Sequence, residues 1–134
     1  MLDHHRALIY TMVIVSGAQT ELRDAELRLI GDLVEDLPVF RGFDRERLPE
    51  LLNDCVELMN GEDGLEAALE AIRELLPAKL RETAYAIACD LVASDGEATQ
   101  EELQLVELLR RRLGLDRLIA AAIERGARAR FQTL

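Results

Sequence analysis

The apolar residues of this chain recur at three- and four-residue spacing, and no segment alternates with the period of a strand. The runs stop at Gly17, Pro38, Gly61, Pro77, Gly96 and Gly114, residues that break or cap helices. Stripes separated by such stops predict a bundle of helices. The first helix runs from Leu2 to about Ser16 and is apolar on nearly every side, so it should lie inside the others. A second begins at Asp24-Ala25-Glu26, carries Leu27, Ile30, Leu33, Val34 and Leu37 inward, and ends at Pro38. After a connector from Val39 to Phe43, Asp44 is a cap and Pro49 lies in the first turn of a third helix with Leu51, Leu52, Val56 and Met59.

Asn60 to Asp63 reads as a turn, and a fourth helix spans Gly64 to Leu76. A fifth runs from Ala78 to Ser94, a sixth from Gln100 to Leu113, and a last from Asp116 to Arg130 with Leu118, Ile119, Ala122 and Ile123 inward. The expected fold is all-α: one domain over residues 1–134, a bundle of about seven helices. Composition agrees, because 49% of the residues are hydrophobic and only 4% aromatic, which leaves Leu, Ile, Val and Ala to build the core. Such side chains suit closely packed helices.

The net charge of −10 is unevenly spread. Residues 1–109 carry a balance of −15 and residues 110–134 a balance of +5. Nucleic acid is an unexpected partner for such a surface, since phosphate binding needs a continuous positive footprint. The arginines near the end suit helix C-termini and offset the acidic body. The longest apolar stretch, Ala7 to Val15, is far short of the ~20 residues that span a bilayer, so no membrane insertion is expected. No export signal is visible in the first residues, and Cys55 and Cys89 sit at apolar helical positions, which fits reduced, buried thiols in a cytoplasmic protein. His4 and His5 are adjacent, point in different directions on a helix, and read as surface histidines.

Polar chemistry gathers at two turns. Gln19 to Glu26 and Asp95 to Glu102 follow apolar helices at an offset of 76 residues, which suggests two pseudo-repeated helix-turn-helix halves. Asp95-Gly96 with Glu102 looks like the second half of an EF-hand loop, but Leu91 and Ala93 stand where its first ligands would be, and an ordinary EF-hand is excluded. Two readings of the second turn remain. Thr99 to Glu102 forms a capping box and Asp95-Gly96 a simple turn, or the carboxylates of the turn collect a hard cation: calcium, magnesium or manganese. No nucleophile-base pair or phosphate-cradling loop appears, so no enzymatic activity is expected.

The order of these signals resembles the TerB-like tellurite-resistance family. The likeness is carried by Asp24-Ala25-Glu26-Leu27, Leu37-Pro38-Val39-Phe40, Leu76-Pro77 with Leu80-Arg81-Glu82, and Asp95-Gly96 with Glu101-Glu102. It implies a bacterial helical protein of two pseudo-repeated halves, cytoplasmic or held at membranes through partners, and linked to tellurite and chemical stress without an established enzymatic activity. It also implies a metal site on Asp95 and Glu102, with Glu26 from the first turn. Gln19 and Thr20 stand where the family commonly has Asp-Gly, which weakens a first site. A chain of charge −10 is a poor receptor for an oxyanion, so the expected role in tellurite resistance is indirect. The alternative is a metal-free module that docks a protein partner or a second copy of itself through the acidic body or the basic last helix.

Overall fold

The computed structural model describes residues 3–17, 24–94 and 98–134. Among these residues there are seven α-helices and no strand: α1 (His4–Val15), α2 (Asp24–Asp36), α3 (Leu48–Met59), α4 (Gly64–Leu75), α5 (Arg81–Ser94), α6 (Gln100–Leu113) and α7 (Arg117–Arg130). The all-α bundle expected from the periodicity is the fold.

Helix α1 is the hub. Every residue from Ala7 to Val15 is buried, and the helix packs against α3, α4, α5 and α6. A helix apolar all round has no face for water, so it takes the centre while amphipathic helices surround it. Its one fully buried polar side chain, Thr11, donates to the Ala7 carbonyl at 2.8 Å, which removes the cost of an unpaired hydroxyl. Helix α5 lies against α1 and against α6 and α7, burying Ala84, Tyr85, Ala88 and Leu91.

Helix ends follow the local chemistry. Pro38 and Ala78 open short 3-10 turns rather than extending the neighbouring α-helices, so α5 begins at Arg81, three residues later than the periodicity predicts. Asp44 accepts from the Glu46 amide, and Asp116 accepts from the Leu118 and Ile119 amides. Gly114 closes α6 at a φ of 67°, a left-handed conformation natural to glycine. At the α3–α4 turn Asp63 has a φ of 54°, and a Cβ on Gly64 would stand 2.1 Å from the Met59 carbonyl oxygen. The two helices therefore meet through backbone, and only glycine fits.

Helix α7 is rotated from the expected orientation. Ala120 and Ala127 face the core, while Leu118 is 78% exposed and Ile119 is also exposed. Small residues let α7 approach α5 closely, so the stripe 120, 123, 124 and 127 wins over the larger side chains at its N-terminal end. Leu27, expected inward, is exposed as well, and so is Leu103, although it lies on the apolar stripe of α6 with Val106, Leu109 and Leu113.

His5 corrects another expectation. Its Nε2 meets the Val39 carbonyl at 2.9 Å, and its ring stacks on Phe40 and meets Phe43 edge-on. It pins the connector after α2 to the start of α1. Burial lowers its pKa, with the Val39 hydrogen bond working in the opposite direction.

Candidate functional site

Helices α1 and α5 pack together, and their C-terminal ends open on one small cleft with the N-terminal turns of α2 and α6. Ser16, Glu26, Leu29, Leu91, Ser94 and Glu102 line this cleft, whose volume is about 230 Å³. The lining comes in matched pairs. Glu26 and Glu102 are each the third residue of their helix, and Ser16 and Ser94 each lie at the end of an apolar helix. The two carboxylates keep the 76-residue offset of the sequence repeat, whereas the two hydroxyls are 78 residues apart and correspond only in their place at a helix end.

The side-chain geometry is specific. Ser16 Oγ donates to the Met12 carbonyl at 2.8 Å and Ser94 Oγ to the Leu91 carbonyl at 2.7 Å, so each hydroxyl spends its proton within its own helix and keeps its lone pairs. Thr99 Oγ1 accepts from the Glu102 amide at 3.1 Å, and Glu102 Oε1 accepts from the Thr99 amide at 2.9 Å. The capping box expected from the sequence is therefore present. It uses Oε1, and no hydrogen bond to Oε2 is found among the described residues. Glu26 has an interaction partner of its own.

What this arrangement offers chemically is a set of hard oxygens, two carboxylates and two hydroxyls, with the negative dipole ends of α1 and α5 facing the positive ends of α2 and α6. Among the described residues no group of three or more Asp, Glu, His or Cys side chains gathers closely enough to hold a metal by itself. Asp95, the other ligand expected from the sequence, lies outside the described residues, as do Gln19 and Thr20.

A second and larger cavity, about 690 Å³, opens between α5, α6 and α7. Its floor holds Tyr85, whose hydroxyl donates to Glu124 at 2.6 Å, with Cys89 beside it. Burial, then the Glu124 carboxylate, pushes the Tyr85 pKa up, and burial pushes the Cys89 thiol up to about 12. Burial does the same to Cys55, also to about 12. Both cysteines are free and buried, and neither is a thiolate nucleophile near neutral pH.

Comparison with protein-family models, with curated proteins and with solved structures finds no match. The functional reading therefore rests on this chain's own residues. Of the three metal ligands expected from the sequence, the fold brings Glu26 and Glu102 to one cleft. The Tyr85–Glu124 pair was not foreseen. Its signals were present: a tyrosine within the apolar run of α5 and a lone acidic residue among the arginines of the last helix. Neither points to the other, because their spacing is set by tertiary packing.

Proposed function

We propose that this chain is a non-catalytic, TerB-like protein of bacterial chemical-stress or tellurite resistance that holds a hard divalent cation at the cleft between its two turns. One observation supports this above others: Glu26 and Glu102, 76 residues apart, line the same cleft beside Ser16 and Ser94. Calcium, magnesium or manganese suits such oxygens, with Asp95 and water completing the shell. The two turns are then joined through the ion, and the cation stabilises one arrangement of the cytoplasmic protein's surface for its partner. The role in resistance is indirect.

Thermal melting with each ion tests it, using Glu102→Gln and Glu26→Gln. Gln at position 102 keeps an acceptor for the Thr99 amide and so keeps the capping box while removing the charge. Wild type should gain about 2.7 kcal/mol at an ion concentration a hundred times its dissociation constant, and both variants should lose that gain. No shift at millimolar calcium, magnesium or manganese sinks the cation reading.

A second reading is favoured by exposed Leu118 and Ile119 at the start of basic α7. Here the chain is a metal-free module whose last helix docks a protein partner or a second copy. Sedimentation at low and high salt separates this from the first reading: a monomer at every concentration, together with an ion-dependent melting shift, removes it.

A further inference from the structure

The cavity between α5, α6 and α7 lies where the acidic body meets the last segment of charge +5, and its charged lining is Glu107, Glu124 and Arg128. Its volume of about 690 Å³ falls within the ordinary range of small-molecule sites, roughly 300–1,000 Å³. Val92, Leu103, Val106 and Phe131 supply apolar wall, and Leu103 is 50% exposed although the periodicity of α6 points it inward. A large side chain left half in water at the lip of a cavity is covered when an apolar ligand enters.

The charged groups around the cavity are not equivalent. Glu107 is held by Arg110 and Arg111, and hydrogen bonding from Arg110 keeps its carboxyl below the usual value. Glu124 accepts a hydrogen bond from the Tyr85 hydroxyl. Arg130 is taken by Asp90. Arg128 also lines the cavity, and among the described residues it has no ion pair. Glu107 is thus neutralised by arginines, and Glu124 keeps its charge under the neutral Tyr85 hydroxyl. Arg128, one turn further along α7, is a lining cation without an ion pair among the described residues, beside apolar wall.

We propose that this cavity binds an amphipathic anion, an apolar chain carrying a single carboxylate, with the chain against Leu103, Val106 and Phe131 and the headgroup on Arg128. A neutral amphiphile leaves Arg128 without a counter-charge, and a cationic one would have to be drawn by Glu124, whose carboxylate already takes the Tyr85 hydrogen bond. The site is separate from the cleft at Glu26 and Glu102, so its test does not depend on the cation reading.

The probes are decanoate, decylammonium and decanol, each titrated below its micellar concentration into the isotope-labelled full chain. Decanoate should give saturable amide shifts centred on Cys89, Val106 and Phe131, with affinity about tenfold above that of either other probe, the equivalent of about 1.4 kcal/mol. Arg128→Gln should remove that advantage while leaving decanol binding unchanged, which also reports that the variant is folded. Arg125→Gln, outside the cavity lining, should behave as wild type. Decylammonium binding as tightly as decanoate, shifts on another face, an unaltered decanoate affinity in Arg128→Gln, or no saturable binding of any probe would each overturn the proposal.

Discussion

Tyr85 of α5 donates its hydroxyl to Glu124 of α7 at 2.6 Å, a polar bond that joins the Arg130–Asp90 ion pair in linking two helices otherwise packed through small apolar residues. The tyrosine side chain is fully buried, whereas Glu124 keeps access to water. In Tyr85→Phe the carboxylate hydrates in place of the lost bond, so the cost should fall near the lower end for a bond to a charged group, about 1–2 kcal/mol. Urea unfolding at neutral pH measures it. The sign with pH is also fixed. Because the folded tyrosine holds its proton more tightly than the unfolded one, its contribution is full below about pH 10 and declines as pH rises beyond that value. Tyr85→Phe should flatten that alkaline decline, and an unchanged slope would remove the assignment.

Glu102 has a structural role that is measurable without any metal. Its backbone amide and one carboxylate oxygen close the capping box with Thr99. In chelated buffer Glu102→Ala should cost about 0.5–1 kcal/mol, Thr99→Ala about 1 kcal/mol, and Glu102→Gln close to nothing. Chemical denaturation of the three variants gives the order. A loss in Glu102→Gln as large as in Glu102→Ala would mean that the charge, not the cap, carries the effect.

These helix boundaries were legible because proline, glycine and capping side chains act locally. Pro38, Gly64, Gly114 and Asp116 each fix an end through backbone conformation or a hydrogen bond within a few residues. The orientation of α7 was not legible. Hydrophobic periodicity weights Leu118 and Ile119 above Ala120, but close helix approach rewards the alanine. The cleft was half legible: the repeat put Glu26 and Glu102 in matching places, and only the packing of α1 on α5 put those places side by side. The Arg128 cavity depends on three helices at once, and no local pattern encodes it.

His5 should give the chain a stability that weakens in mild acid. Its half-buried ring packs against Phe40 and Phe43 and its pKa is lowered, so the unfolded chain takes up a proton before the folded one does. The contribution is complete above about pH 6.5 and is lost as pH falls through the lower folded value. Comparing urea midpoints at pH 7.5 and 5.5 for wild type and His5→Gln isolates its contribution. The ring resonances of His5 should move below pH 6.5; a midpoint above that value would reverse the sign and contradict the packing argument.

Two glycine-to-alanine substitutions should act in opposite directions. At Gly64 a new Cβ would meet Met59 backbone atoms at 2.1, 2.4 and 2.7 Å, and backbone cannot turn aside as a side-chain tip would. The α3–α4 turn must open, so the loss should reach at least the 1–3 kcal/mol of ordinary overpacking. Gly31, inside α2, has nothing within 4 Å of its Cβ position and no positive φ. There alanine restricts the unfolded chain and suits the helix, and it should stabilise by about 0.4–1 kcal/mol. Thermal melts of the two variants should therefore bracket wild type. If Gly64→Ala melts at or above wild type, the helices do not meet through backbone at this turn, and the route by which α4 reaches the face of α1 must differ.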